Sequence, residues 1–405
     1  MTAALKILDN FAMNKFGNSQ LRTLTDFEEA GLRTTFCLAD GHAYQDLHPA
    51  FSKIVDSLPI IWNNAAQQSI PEGERLFSFS YSNFINSNIL KNYKNFKICP
   101  TASNSIDLVG TVLNHLKLNA VLIEPTFDNL ALLMKRRGVN LDSIKDIDLF
   151  HAAESNEIEN YLPNLKNYGA LFLVHPNNPT GLILSESAFK NIVTFCKRNQ
   201  IILVIDNCFR AYRRNIFDDY NILLESSVSF MALEDTGKVW PTQDLKASLV
   251  YFSEDLKEIF CEIYNEVYLC VSNFSLGILS AFFDETAKIG LQKTIWDVVQ
   301  TRRQMLRKVI EDSKLSVSMI SKNSNLPVEW LRYHGTDKND IAICQELSQL
   351  NLAVLPGRHF YWNSSHNKAN HQYIRVSLMK RKNIFLSGIN ILQNYCNQFI
   401  RQIKQ

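Results

Sequence analysis

Five short apolar runs, most of them leading into a polar turn, constrain this chain more than any other feature of its sequence. They are Ala120 to Glu124 (AVLIE), Ala170 to Val174 (ALFLV), Ile201 to Asp206 (IILVID), Val228 to Leu233 (VSFMAL) and Ala247 to Phe252 (ASLVYF). None alternates apolar with polar, as a strand with one wet face would. Stretches of helical period, Ser185 to Lys197 among them, lie between several of the runs. Continuous apolar strands separated by amphipathic helices predict an α/β fold whose mostly parallel sheet is covered on both faces. In such sheets ligands sit beyond the carboxyl ends of the strands, so the turns there are where chemistry is expected.

Those turns are Glu124 to Asn129 (EPTFDN), His175 to Gly181 (HPNNPTG), Asp206 to Phe209 (DNCF) and Glu234 to Pro241 (EDTGKVWP). From about residue 280 the pattern changes. Long helical-period segments such as Lys293 to Asp312 dominate, with short strands such as Tyr373 to Leu378. We therefore expect a large domain over 51–280, and a smaller one built from an N-terminal arm (1–50) and residues 281–405.

Composition removes several function classes. Lysine and arginine number 42 against 40 acidic residues, a net charge of +2, which does not suit a dedicated nucleic-acid binder. With 46% hydrophobic and 20% charged residues the chain is not a disordered one. Apolar runs such as Ile201 to Ile205 fall far short of the ~18 residues of a membrane span. The N-terminus carries Lys6 and Asp9 inside its apolar pattern and does not read as a signal peptide. Eight cysteines are scattered without CxxC or Cys/His ligand spacing, so we expect a cytoplasmic protein with no disulfide framework and no metal. The basic run Lys380-Arg381-Lys382 reads as a solvated turn.

One cofactor fits the residues at the strand ends. Pyridoxal phosphate needs a lysine for a Schiff base, an anion beside its ring nitrogen and a flat side chain on its face. Lys238, Asp206 and Phe127 offer these, with Asn178 in an NPTG turn between them. Its phosphate needs backbone N–H groups at a helix start. Ala102, Ser103 and Asn104, ahead of the helical pattern Ile106 to Leu116, are placed to supply them. Each residue also has a plain structural reading. Phe127 suits a core, Asp206 a helix N-cap, and Thr25-Asp26-Phe27-Glu28 a capping box.

In this order the residues resemble the fold-type I pyridoxal-phosphate enzymes of the class I/II aminotransferase family, over nearly the whole chain. The resemblance implies a large domain with a seven-stranded, mostly parallel sheet and a smaller α+β domain. It implies that Lys238 holds the cofactor, Asp206 pairs with the ring nitrogen, Asn178 contacts the ring hydroxyl and Phe127 stacks on the ring. Arg375, in Tyr373-Ile374-Arg375-Val376-Ser377, matches the arginine that grips a substrate α-carboxylate. Three positions depart from the family pattern. Phe209 stands where a ring-contacting tyrosine is usual, Lys246 where a phosphate-binding arginine is usual, and Asp235 where a phosphate-facing serine is usual. A carboxylate beside a phosphate is unfavourable, so Asp235 is expected to turn away or to pair with a cation.

A narrower likeness accounts for the departures. Leu38 to His42 (LADGH), Pro125 to Asn129 (PTFDN) and Glu234 to Lys246 (EDTGKVWPTQDLK) resemble the pyridoxal-phosphate-dependent L-arginine hydroxylase/oxidase group. These are aminotransferase-like, dioxygen-consuming enzymes of non-proteinogenic amino acid biosynthesis. The likeness implies catalytic roles for Lys238, His42 and Asp235. It implies guanidinium contacts from Thr25 and Glu28, and a substrate wall at Asp40 and Gly41. It implies conversion of L-arginine to 2-oxo-5-guanidinopentanoate, to its 4-hydroxy derivative, or to both, with ammonia and hydrogen peroxide released. A homodimer at least is implied as well, with Val267 to Phe283 at the interface. The alternative is an aminotransferase or other pyridoxal-phosphate enzyme acting on another amino acid.

Overall fold

A computed structural model describes residues 21–214 and 217–403. The leader expectation that rests on Lys6 and Asp9, and the first twenty residues of the N-terminal arm, lie outside the described residues. The described chain opens with helix α1 (Leu24–Gly31) and a two-residue strand, β1 (Phe36–Cys37). Helix α2 (Ile70–Phe84) then leads to the main sheet.

That sheet has seven strands, β2 (Phe96–Cys99), β3 (Ala120–Glu124), β4 (Leu141–Lys145), β5 (Ala170–Val174), β6 (Ile202–Asp206), β7 (Phe230–Asp235) and β8 (Ser248–Phe252). Their spatial order is β2-β8-β7-β6-β5-β3-β4, and β8 alone runs antiparallel to its neighbours. The five apolar runs are all strands here, buried along their length except at Asp235. The sequence did not announce β2 and β4. Both are edge strands with partly exposed residues, and their mixed patterns (FKIC, LDSIK) lack the apolar continuity of the interior strands. Strand β7 is shifted two residues toward the C-terminus at both ends of the expected run, so Glu234 and Asp235 belong to the strand rather than to the turn after it.

Helices cover the sheet as their periodicity requires. Helix α3 (Ala102–His115) and helix α4 (Asp128–Arg136) follow β2 and β3. Helix α5 (Glu186–Arg198) buries Phe189, Ile192, Val193 and Cys196, one face at helical spacing, and Ser185 caps it by accepting the Ala188 amide at 3.1 Å. Helix α6 (Asn273–Ile289) packs on α2, with Phe283 against Phe77, Tyr81 and Phe84, and also buries Leu276, Leu279 and Phe282. The apolar segment 267–283 is therefore divided. Its helical part is core on one face, whereas Leu269 is 84% exposed.

The C-terminal part carries an antiparallel sheet of β9 (Leu315–Val317), β10 (Val328–Tyr333), β12 (Leu355–Pro356) and β13 (Tyr373–Ser377), in the order β12-β13-β10-β9. The helix expected over Lys293 to Asp312 is present, entered through a π-helical turn at Gln292–Trp296. Strand β1 pairs in parallel with β11 (Leu352–Ala353), and the chain after it follows the edge of this sheet. Ser377 donates to Leu38 O at 2.8 Å, and Tyr44 donates to Met379 O at 2.9 Å. This path carries Ala39 to His42 from the end of β13 to the turn after β7, where the Ala43 amide meets Gly237 O at 3.4 Å.

The NPTG turn also touches the C-terminal part, at Gly181. Its φ is +74°, and a Cβ there would lie 2.0 Å from Ser324 Oγ. Gly181→Ala should therefore cost about 1–3 kcal/mol of stability through backbone strain and a clash. Urea denaturation of the variant beside the wild type measures this. Among the described residues no helix is long and apolar enough to cross a membrane, and no cluster of histidine, cysteine and acidic side chains is placed to hold a metal ion.

Candidate active site

The turn after β7 presents Lys238 with its backbone fixed on both sides. The Tyr212 hydroxyl donates to Lys238 O at 2.7 Å, and Gln45 Nε2 donates to Val239 O at 2.8 Å. Two residues on, Trp240 is buried among Phe84, Phe282 and Phe283, and its indole N–H donates to Thr286 Oγ1 at 2.9 Å. The main chain is held while the side chain enters a cleft.

Opposite, at the carboxyl end of β6, Asp206 is 5% exposed and accepts the Cys208 amide at 2.8 Å. Burial raises its pKa; the Cys208 hydrogen bonds and the Lys238 charge work against this, and Asp235 reinforces it. Asn178, Phe127 and Phe209 line the same cleft, as do Ala102 and Ser103 in the first turn of α3. That helix starts four residues earlier than its apolar pattern suggests, because Thr101 caps it. Thr101 Oγ1 accepts the Asn104 amide at 3.3 Å and donates to Asn104 Oδ1 at 2.7 Å. The Asn104 amide, expected to meet an anion, is thus engaged by the cap, and the amides at the head of the helix are those of Ala102 and Ser103.

Arg375 enters from β13 and is 1% exposed. Its guanidinium donates to Ala39 O at 2.8 Å, to Glu28 Oε1 at 3.0 Å and to Asn178 Oδ1 at 3.3 Å. It lies near the rings of Phe127 and Phe360, and its Nε is buried without a partner. Gly41 lies against the same guanidinium.

Other expected site residues are placed differently. The cap of α1 is not Thr25 with Glu28. Thr23 and Asp26 form the capping box, with Asp26 N to Thr23 Oγ1 at 3.1 Å and Thr23 N to Asp26 Oδ2 at 2.9 Å. Thr25 is left exposed, and Glu28 is free to turn inward to Arg375. Asp40 does not face the cleft. It is 1% exposed and is bound by Lys380 and by the His42 amide. The run Lys380-Arg381-Lys382 is accordingly not wholly solvated, since Lys380 is buried. Asp235 turns back to accept the Gly237 amide at 3.2 Å, and the Lys246 side chain packs over Gly237 outside the cleft lining. His42 Nδ1 lies 3.4 Å from Asp40 Oδ1. The positive charge of Lys238 and burial push the His42 pKa down, and Asp40 opposes them.

Three residues escaped the sequence. Tyr212 lies three positions after Phe209, and its phenol holds the Lys238 backbone. Lys380 was hidden in a basic run. Asp128 sits inside the PTFDN turn: one carboxylate oxygen accepts the Leu24 amide of α1 at 2.9 Å, and the other is buried without a partner. Burial, with Glu28 nearby, lifts Asp128 to about 7. The Leu24 hydrogen bond works against this, while Glu28 and Asp26 of α1 add to it; a carboxyl whose pKa is raised where α1 covers it binds its proton more tightly in the docked form. Docking of α1 is therefore strongest below the ordinary carboxyl pKa and weakens as pH rises through about 7. Amide hydrogen exchange in α1, corrected for intrinsic rates, should speed up between about pH 5 and about pH 8, and Asp128→Asn should flatten that dependence.

The family profile for aminotransferase class I and II matches residues 87–384. The chain belongs to the aminotransferase class I and II family. Among curated relatives, the probable chloroplastic LL-diaminopimelate aminotransferase of Oryza sativa subsp. japonica is 22% identical over 289 residues, 67% of this chain. The match spans 59% of that protein, so this chain covers less than two thirds of its length. The LL-diaminopimelate aminotransferase of Chlamydia pneumoniae is 24% identical over 213 residues, 49% of this chain and 51% of that protein. Among solved structures, MppP soaked with the product 2-ketoarginine superposes with a TM-score of 0.80 at 26% identity, over 89% of this chain and 99% of that one. A putative aminotransferase from Clostridium difficile 630 with pyridoxal phosphate bound shares the fold, with a TM-score of 0.72 at 16% identity over 94% of this chain and 97% of that one.

As a class I and II aminotransferase-family chain this is a fold-type I protein, and its cofactor is pyridoxal 5′-phosphate. The residues present fit that group. Asp206 is a buried carboxylate whose nearby cation is Lys238, and a protonated ring nitrogen is the counter-charge its burial calls for. The unpartnered Nε of Arg375 leaves the guanidinium able to accept a further anion.

Proposed function

We propose that this chain oxidises L-arginine, or a similar guanidino amino acid, with dioxygen. Arginine, dioxygen and water would give 2-oxo-5-guanidinopentanoate, ammonia and hydrogen peroxide. A second dioxygen and a second water would give the 4-hydroxy product with a second peroxide. The observation that carries the reading is the Glu28 carboxylate in a cleft whose anchor is Arg375. The site holds one cation for a substrate carboxylate and one anion for a cationic tail. The likeness to MppP, and the absence of a ring-facing phenol at Phe209, support it.

Bound pyridoxal phosphate supplies an electron sink that acidifies the substrate Cα–H. In this reading Lys238 Nζ takes the α-proton, and Asp206 keeps the ring nitrogen protonated. Arg375 exchanges Glu28 for the substrate carboxylate, and Glu28, released, meets the guanidinium. Phe127 walls the ring face, and the Ala102 and Ser103 amides receive the phosphate. His42 accepts a proton from water at the nitrogen not facing Asp40. Residues 51–280 form the cofactor-binding unit, and residues 1–50 with 281–405 the part that brings Glu28, His42 and Arg375 to it. The site is completed in a homodimer.

Oxygen-electrode traces with L-arginine in air, together with product masses, test the proposal. Uptake of oxygen and the mass of the 2-oxo acid, or of that acid plus one oxygen, are expected. The LL-diaminopimelate aminotransferase relatives favour a second reading, transamination of another amino acid. It would show as turnover only with a 2-oxo acid acceptor. Glu28→Gln separates substrates further. It should lower kcat/KM for arginine by roughly 10–100-fold while sparing or improving that for norleucine, which has no cation to pair.

A further inference from the structure

The geometry points to Lys380 as a positioning residue for His42, acting through Asp40. Lys380 is 4% exposed, its ammonium donates to Asp40 Oδ2, and it lies 4.5 Å from the centre of the Tyr44 ring. The other oxygen, Asp40 Oδ1, accepts the His42 amide at 3.0 Å and lies 3.4 Å from His42 Nδ1. One carboxylate oxygen thus faces the lysine and the other faces the histidine. Burial alone would favour a neutral Asp40. The His42 hydrogen bonds and the Lys380 charge outweigh it and hold the carboxyl well below the usual range. An ionised Asp40 3.4 Å from Nδ1 favours the tautomer that carries its proton there and leaves Nε2 as the basic nitrogen. The Ala43 amide on Gly237 O sets this ring beside the Lys238 turn.

The groups facing His42 are Asp40 and Tyr44 from its own loop, and Lys238 and Lys246 from the segment joining β7 to β8. Behind them stand Lys380 and Cys37 on Asp40, and Asp244 on the Tyr44 hydroxyl. The inference rests on the reading that His42 works in the cleft, and its test is made without turnover. His42 is titrated by NMR in histidine-labelled holoenzyme, with His42→Gln assigning the signal.

With the His42 hydrogen bonds still holding Asp40 ionised, Lys380→Met leaves the whole carboxylate to His42 and should raise the His42 pKa by ~0.5 unit or more. Lys380→Met combined with Asp40→Asn removes the carboxylate as well and should lower it below wild type. Lys380→Arg should restore it. Should the single variant fail to fold, the double variant and Lys380→Arg carry the test, because neither leaves a buried charge unpaired. A His42 that titrates as in wild type in Lys380→Met or in the double variant, with only the melting temperature changed, would overturn the inference. Opposite shifts in a protein that consumes no oxygen would uphold the inference and reject the oxidase reading.

Discussion

Lys238→Ala is expected to lose roughly 10⁴-fold or more in turnover while remaining folded. Folding should survive because the surrounding structure uses the backbone of Lys238 and not its amine. Tyr212 binds its carbonyl, Gln45 binds the next one, and Trp240 is anchored two residues on. The amine faces the cleft, where in the proposed reading it is both the attachment point for the cofactor aldehyde and the base for the α-proton. The substitution also has a signature away from turnover. The Lys238 charge is the first cause of the low His42 pKa, so His42 should titrate higher in the alanine variant. The measurements are single-turnover kinetics and histidine NMR. A variant that keeps more than about a hundredth of wild-type turnover would remove Lys238 from the chemistry.

Arg375→Leu should lower kcat/KM by about 10³-fold, some 4 kcal/mol, chiefly through KM. The guanidinium is the cation that reaches the cleft from β13, and its unpartnered Nε has no other duty. Arg375→Lys should recover little, because a point charge cannot reproduce the planar fork that spans Ala39 O, Glu28 and Asn178. Loss of the arginine leaves Glu28 without its partner. The pair is largely buried and Ala39 O loses its donor too, so a stability cost is expected beside the kinetic one. Combining Arg375→Leu with Glu28→Gln checks this. If the pair acts as one unit, the double variant should be little slower than Arg375→Leu alone. Additive losses would mean that the two residues serve the substrate independently.

What could be read in the sequence was whatever repeats a physical rule locally. Interior strands such as Ile202–Asp206 are buried on both faces and had to be apolar throughout, so they stood out. Asp206 and Lys238 stood out because a charged residue at the end of such a strand needs a reason. The edge strands β2 and β4 escaped because their exposed positions follow no such rule. Lys380 escaped for a different reason. Its burial depends on Asp40, 340 positions away, and nothing in Lys-Arg-Lys distinguishes a lysine that turns inward from two that do not. Asp128 was visible as part of a turn, but its bond to the Leu24 amide joins segments 104 residues apart. At α1 two capping patterns overlap, two residues out of step. The structure uses the earlier one, and that choice is what frees Glu28.

Thr23 and Asp26 cap the head of α1 from its own first turn, while Leu24, Phe27 and Ala30 on its inner face join the core with Trp330, Leu355 and Phe360. Its two ties to the site are the Leu24 amide on Asp128 and Glu28 on Arg375, and they sit on one short rod. A turn and bend at residues 32–35 joins the helix to β1. Both ties belong to one short helix, so a displacement that broke one would break the other. The carboxyl of Asp128 and the guanidinium of Arg375 are thereby coupled through α1, although no bond joins them directly.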